Sequence, residues 1–225
     1  MSRKYRTVIP LSLLISFIGS CSTPAVGTTI PETAPTDPPA PLTIDGTIHP
    51  GEWDQAEFHE MSDGSELYLL QEGDIIFLAV DGTRRDALGA NIFLQKGDNV
   101  RIMHISAALG TADYEFDGES WSLIRNFDWK HRTVGNSEIA LAERQAYQEL
   151  ESWSAPNVYT GTTNHLEMQL DLGEGAYQIA VSLLRSSTDL RFVWPDGVTD
   201  DTTKAFSDGL TETINLNPES WHQIQ

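Results

Sequence analysis

Apolar and polar residues alternate along much of this chain in a way that predicts short β-strands. Residues 165–171 place apolar side chains at every second position, as in a strand with one buried face. Residues 75–80 are continuously apolar, which is typical of a strand buried on both faces. Glycine-containing turns at 72–73 and 97–99 predict hairpins between neighbouring strands. The predicted strands cover residues 66–71, 74–81, 90–96, 100–106, 165–171, 178–184 and 190–194.

These strands and their turn signals favour a mainly β domain, an antiparallel β-sandwich that one short to medium helix interrupts. Ser137 can cap this helix, and Glu138 suits the positive end of its dipole. Apolar residues recur at helical spacing after this start and predict the face that packs on the core. They are Ile139, Ala142, Ala146, Leu150 and Trp153. We therefore expect Trp153 to be a core residue and not a platform for a ligand.

The first 41 residues differ from the rest and predict an exported, lipid-anchored protein. Basic residues at positions 3, 4 and 6 precede an apolar run over 8–18, which is shorter than the ~20 residues that span a bilayer. Residues 18–21 read Ile-Gly-Ser-Cys and resemble the lipobox of bacterial lipoproteins. The resemblance implies cleavage before Cys21 and attachment of lipid to its thiol. We predict a signal peptide over 1–20, a disordered Pro/Thr-rich tether over 21–41 and one domain over 42–225.

This interpretation places the domain in the bacterial cell envelope, with the membrane as its first partner. Ser22, directly after Cys21, resembles the pattern that is sorted to the outer membrane in Gram-negative bacteria. Cys21 is the only cysteine, so the domain has no disulfide and must depend on a hydrophobic core. Cleavage removes three of the 14 basic residues and leaves 11 against 33 acidic ones, a formal charge of −22. Such a charge argues against nucleic acid as a partner, because phosphate binding needs a positive surface.

The opening of the domain carries a family resemblance. Residues 44–48 read Ile-Asp-Gly-Thr-Ile, and residues 51–56 read Gly-Glu-Trp-Asp-Gln-Ala. This pattern resembles the opening of family 9 carbohydrate-binding modules and of the wider group of DOMON-like sandwiches, and residues 218–221 resemble their closing Pro-x-x-Trp segment. The resemblance implies a β-sandwich from a family that includes sugar binders and haem-binding relatives. The opening also has a structural interpretation, in which Trp53 is a core residue at one end of the sandwich.

Candidate ligand-binding residues follow from the chemistry that sugars require. Sugar binding needs flat aromatic faces beside polar groups, and the candidate platforms are Trp121, Trp129 and Trp194. His104 is a further candidate, interpreted either as a hydrogen-bonded core histidine or as a metal or haem ligand. Met103 precedes it and must point to the opposite face of a strand, so the two residues cannot ligate one haem. The small residues that follow His104 would let another group approach the backbone closely.

Other chemistry has less support in the sequence. Asp196, Asp200 and Asp201 cluster in a glycine-containing loop, so calcium is a candidate cofactor, with solvated turn carboxylates as the alternative. The chain lacks a Gly-x-Ser-x-Gly elbow, a His-Glu-x-x-His motif and a P-loop, and we expect no enzymatic activity. The expected function is non-catalytic ligand binding, with carbohydrate as the expected ligand. The alternatives are an envelope scaffold that binds a protein partner and a haem-binding or redox DOMON-like domain.

Overall fold

The computed structural model describes residues 41–82, 88–106, 108–131, 138–156, 164–185, 191–204 and 209–224. All of them belong to one compact unit, Pro38–Gln225. The predicted signal peptide, and the predicted tether except its last residue, lie outside the described residues. In the part of the chain that is described, no helix is long and apolar enough to cross a membrane.

The fold is mainly β and antiparallel with one helix, which confirms the predicted fold class. The strands are β1 (Glu57–Glu60), β2 (Glu66–Glu72), β3 (Ile75–Asp81), β4 (Leu88–Lys96), β5 (Asn99–Ile105), β6 (Ala108–Phe116), β7 (Trp121–Arg125), β8 (Lys130–His131), β9 (Trp153–Ser154), β10 (His165–Asp171), β11 (Tyr177–Arg185), β12 (Arg191–Trp194), β13 (Thr213–Ile214) and β14 (His222–Ile224). The helix is α1 (Glu138–Glu151), and short 3₁₀ turns occur at Asp201–Thr203 and Pro218–Ser220. All seven predicted strands are present, each within two residues of its predicted bounds.

Two sheets form the sandwich. The smaller sheet has the strand order β1-β2-β3-β10-β9, and the larger has the order β12-β11-β4-β5-β6-β7-β13, with β14 beside β11 and β8 beside β6. Side chains of both sheets meet in one core that includes Leu78, Met168, Ile92 and Val181, all almost fully buried. Because each strand alternates its side chains, the inward residues of both sheets fill this core while their neighbours point outward.

The larger sheet is covered on its outer face as well. Phe93 belongs to a second apolar cluster, whereas its neighbours Ile92 and Leu94 belong to the core between the sheets. Phe93 therefore points to the other side of the sheet. There it packs with residues of the C-terminal segment, including Leu216 and Trp221. This cover explains why strands of the larger sheet are buried on both faces.

Strand β6 was not predicted, although it pairs with β5 over seven residues. Its sequence, Ala-Leu-Gly-Thr-Ala-Asp-Tyr-Glu-Phe, has neither a continuous apolar run nor strict alternation. Its strand conformation is stabilised by pairing with β5 and β7 on its two sides, which is a non-local effect.

Helix α1 begins near the predicted residue, but its predicted contact face is wrong. Ile139 and Leu150 are 72% and 79% exposed, while the buried residues are Arg144, Tyr147 and Glu151. Polar contacts select this orientation, because the Tyr147 hydroxyl donates to Thr111 Oγ1 at 2.8 Å and Arg125 forms two hydrogen bonds with Glu151. Helical periodicity shows which residues share a face, but it does not show which face the sheet will accept.

The prediction that Trp153 is a core residue is confirmed. Its side chain is 3% exposed, and it lies in strand β9, directly after the helix. The indole N–H donates to Thr111 Oγ1 at 3.0 Å, the same oxygen that receives the hydroxyl of Tyr147. Thr111 thus joins the end of the helix to the larger sheet.

A buried carboxylate attaches the start of the domain to strand β10. Glu167 is fully buried, and its Oε2 accepts the backbone N–H groups of Asp45, Gly46 and Thr47 at 3.0, 2.5 and 3.2 Å. Its Oε1 accepts the indole N–H of Trp53 at 3.2 Å. Trp53 is itself 4% exposed, so its predicted burial is confirmed, although it packs beside Tyr68 on the outer face of the smaller sheet and not at one end of the sandwich. The opening motif is therefore a structural attachment.

The ionisation of Glu167 links this attachment to pH. Burial raises the pKa of its carboxyl group, and the hydrogen bonds from Gly46 and Trp53 offset only part of that rise. A carboxyl whose pKa is higher in the folded state than in the unfolded state binds protons more readily when folded. Its contribution to stability is therefore present below the unfolded pKa near 4.5 and is lost as the pH rises through the folded pKa.

We expect Glu167→Gln to destabilise the fold by about 1–3 kcal/mol, because the amide turns an NH₂ group toward donors that need an acceptor. The free energy of unfolding, measured with urea, should show this loss. The difference between wild type and variant should grow as the pH falls from 7 towards 4.5. Glu115→Gln is the control, because it removes the same charge from an exposed position on β6. Equal stability of the two variants would contradict the role of Glu167.

Candidate functional site

A row of residues crosses four strands on the outer face of the larger sheet. Ser182 of β11 lies opposite Asn91 of β4, and Asn91 lies opposite His104 of β5. His104 in turn lies opposite Gly110 of β6. Directly opposed residues of antiparallel strands share a face, so these four residues form one line across the sheet. The polar members of this row, Ser182, Asn91 and His104, lie next to the apolar cluster that covers the rest of the outer face.

His104 is held at both ring nitrogens. Its Nδ1 lies 2.7 Å from Asn91 Oδ1, and its Nε2 lies 2.7 Å from Ser106 Oγ. Asn91 is 2% exposed, while His104 is half-buried. Because both nitrogens are engaged, His104 presents no open coordination position to a metal or a haem iron in this conformation. Met103 lies in the core between the sheets, so the predicted opposite orientation of these neighbours is confirmed.

Two aromatic rings lie at the Gly110 end of the row. Phe127 and Trp129 stack with their centroids 4.4 Å apart and their planes at 30°. The His104 ring meets Trp129 edge-on, with the centroids 5.1 Å apart at 86°. A Cβ atom at Gly110 would lie 2.9 Å from both Phe127 Cδ1 and Trp129 Cε3, closer than real Cβ contacts allow. The absence of a side chain at Gly110 therefore lets both rings rest on the strand.

Trp129 alone among the six tryptophans presents an open surface, with 43% of the residue exposed. The candidate Trp121 is 7% exposed, and its indole N–H donates to the carbonyl of Leu216 at 3.2 Å. The candidate Trp194 is 5% exposed, and its ring lies 4.6 Å from that of His59 and 4.8 Å from that of His222. Trp121 and Trp194 therefore occupy core positions with no face available for stacking.

The three candidate calcium ligands do not converge on one point. Asp200 is buried, and its oxygens accept hydrogen bonds from Thr202, from the backbone of Asn217 and from the indole of Trp221. Asp201 pairs with Lys204 at 2.8 Å, and Asp196 is exposed. No group of three His, Cys, Asp or Glu side chains suited to a metal ion occurs within the described ranges. Asp200 instead anchors the segment that covers the outer face of the larger sheet.

Sequence reasoning found two members of the site, Trp129 and His104, and missed the residues that position them. Asn91 and Gly110 become neighbours of His104 only when β4, β5 and β6 pair, whereas Phe127 is two residues from Trp129 in the chain. One local signal pointed to the site: the small residues after His104 were expected to permit close approach. At Gly110 the groups that approach are the two aromatic rings.

Comparisons with known proteins identify no relative of this chain. No protein-family model matches the chain, and neither a curated protein nor a solved structure matches it significantly. The resemblance to family 9 carbohydrate-binding modules therefore stays a prediction that depends on residues 44–56.

The geometry combines an aromatic surface with fixed polar groups. Trp129 supplies the surface, and His104, Asn91 and Ser106 form the adjoining hydrogen-bonded set. Ser182 continues the row, and its buried hydroxyl has no hydrogen-bond partner among the described residues. Such a combination suits a ligand with one apolar face and several hydroxyl groups.

Proposed function

We propose that the domain is a non-catalytic carbohydrate-binding β-sandwich and that its sugar-binding surface centres on Trp129. The observation that carries this proposal is the exposure of Trp129 together with its fixation by Phe127 and Gly110. A tryptophan held in place loses little conformational entropy when a sugar ring stacks on it. The C–H groups on one side of a pyranose ring bury apolar surface against the indole.

The polar row supports the same proposal by fixing a half-buried imidazole edge beside the indole. His104 is half-buried and lies beside the indole, so its hydrogen-bonded edge adjoins any ring stacked on Trp129. Asn91 and Ser106 hold the imidazole in one orientation, which reduces the cost of ordering it on binding. Stacking would then provide affinity, and the histidine network would provide orientation.

For this proposal we expect at least one neutral oligosaccharide from a glycan panel to bind the purified protein at millimolar concentration or below. Trp129→Ala should raise its Kd by about tenfold or more, because the stacking surface is lost. Gly110→Ala should also weaken binding, since the added methyl group displaces both rings. Isothermal titration calorimetry measures each effect.

Phe58→Ala is the matched control, because Phe58 is 54% exposed on strand β1, away from the row. It should leave the Kd unchanged. Failure of every sugar to bind, or equal losses for Phe58→Ala and Trp129→Ala, would refute carbohydrate binding at this surface.

We further propose that the protein is a lipoprotein of the bacterial cell envelope, anchored through Cys21. The Ile-Gly-Ser-Cys segment and the basic and apolar residues before it support this proposal. In a bacterial host, we expect radiolabelled palmitate to be incorporated and the protein to sediment with membranes. Cys21→Ala should abolish both results, whereas Ser22→Ala keeps the thiol and should preserve both. Labelling that survives Cys21→Ala would contradict this anchor.

A specific observation favours partner binding as a second candidate function. The apolar stripe of helix α1 faces solvent, with Ile139 and Leu150 at its ends. Exposed acidic residues border the stripe: Glu138, Glu143 and Glu149. This arrangement suits a basic amphipathic helix of an envelope protein, because its apolar face and its charges would both find complements.

If α1 binds such a partner, the double variant Ile139→Ser, Leu150→Ser should lose the partner that co-purifies from membranes with the wild type. Gln145→Ser is the control, because it changes an exposed residue of the same helix outside the stripe. Chemical crosslinking followed by mass spectrometry identifies the partner and the crosslinked positions. Retention of the partner by the double variant would exclude α1 as the docking surface.

A further inference from the structure

A groove opens on the inner face of the larger sheet, on the opposite side of that sheet from Trp129. Its volume is about 440 Å³, and residues Lys96, Asn99, Arg101, Asp113, Ile124 and Tyr177 line it. Arg101 lies opposite Leu94 in the β4–β5 pairing, and Leu94 belongs to the core between the sheets. The groove therefore lies at the hairpin end of the sandwich, where the apolar core gives way to charged side chains. Its volume falls within the range of sites for small molecules.

The two cations of the groove are held in place and still have hydrogen-bond donors to spare. Lys96 Nζ donates to the carbonyl of Glu174 and to the hydroxyl of Tyr177, both at 2.7 Å. The third ammonium N–H group has no acceptor among the described residues. Arg101 donates from Nε to Asp113 at 3.0 Å and from Nη1 to the carbonyl of Glu151 at 3.3 Å. Among the described residues, the Nη2 group of the guanidinium has no hydrogen-bond acceptor.

The neighbouring carboxylates are already engaged. Asp113 accepts from Arg101 with one oxygen and from Arg125 with the other, at 3.0 and 2.6 Å. Glu151 accepts two hydrogen bonds from Arg125, at 2.6 and 2.8 Å. Arg125 contacts both acids, so Asp113 takes only the Nε donor of Arg101, and Lys96 donates to neither carboxylate. The lining thus carries two cations, Lys96 and Arg101, beside two carboxylates, Asp113 and Asp171, in a chain with 33 acidic residues.

Strand register sets the spacing of the donors. Lys96 of β4 lies directly opposite Asn99 of β5. Arg101 is two residues after Asn99 on β5. Such diagonal neighbours on one face have Cα atoms about 7–8 Å apart, so long side chains can reach one small ligand together. Asn99 also lines the groove, and the exposed carboxylate of Asp171 adds an acceptor to its lining.

Apolar surface completes the groove. Ile124 is 57% exposed at one wall, and the Tyr177 ring lies at another, with Lys96 Nζ 4.7 Å from its centroid. A ligand here meets two cationic donors, an amide, an acceptor and apolar walls. We propose that this groove binds a sugar acid of the hexuronate class, whose carboxylate pairs with Lys96 and Arg101 and whose hydroxyls meet Asn99 and Asp171. This site is independent of the surface at Trp129.

The test compares D-glucuronate with D-glucose, which share a ring and differ only at C6. Isothermal titration calorimetry on the full chain should show glucuronate binding at least about tenfold more tightly than glucose. Lys96→Gln and Arg101→Gln should each weaken glucuronate binding by about tenfold, and added salt should weaken it as well. Lys204→Gln is the control, because Lys204 is a largely exposed lysine that pairs with Asp201 elsewhere.

Each other outcome overturns the proposal. Equal binding of glucose and glucuronate would show that the groove does not recognise the carboxylate. Absence of glucuronate binding would show that the groove is not a hexuronate site. Arg101 also pairs with Asp113, so circular dichroism must show that Arg101→Gln is folded. Lys96→Gln tests the groove independently, because the contacts of Lys96 lie at the hairpin end. Trp129→Ala should leave glucuronate binding intact, and its loss in that variant would assign the ligand to the other face.

Discussion

The attachment of residues 45–53 to strand β10 depends on one carboxylate that is completely removed from water. Three consecutive backbone N–H groups and one indole N–H converge on Glu167. Burial of the charge is unfavourable, and the four donors offset part of that cost. Gly46, whose φ of +89° favours glycine, allows the turn that aims the backbone donors. The same contact places Trp53 beside Tyr68 on the outer face of the smaller sheet.

Coverage of the larger sheet on both faces decides where any ligand can bind. The smaller sheet and helix α1 cover the inner face, and the C-terminal segment, fastened through Asp200 and Trp221, covers part of the outer face. The two candidate binding surfaces of this sheet have different chemistry. The outer one presents Trp129 beside the hydrogen-bonded network of His104, whereas the inner one presents Lys96 and Arg101. The proposed ligands differ for that reason: a neutral sugar on one side and a sugar acid on the other.

Helix α1 shows how polar contacts can override an apolar periodicity. Its apolar stripe is real in the sequence, yet the helix turns that stripe to solvent. The opposite face brings Tyr147 to Thr111 and Glu151 to Arg125, and these partners are themselves buried or paired on the sheet. With the stripe of Ile139, Leu150 and two alanines turned inward instead, Thr111 and Arg125 would lose these partners, and buried polar groups need partners. The exposed stripe is the surface that a partner protein would use.

Local pattern alone determined the mainly β character, the bounds of seven strands and the start of the helix, because alternation and turn residues act over a few positions. It also determined that Met103 and His104 face apart. Tertiary structure decided which tryptophan stays exposed, since Trp121 and Trp194 are buried by segments far away in the chain. It also decided the row from Ser182 to Gly110, which exists only through the pairing of four strands. Burial and cross-strand contact are long-range properties, so no short stretch of sequence contains them.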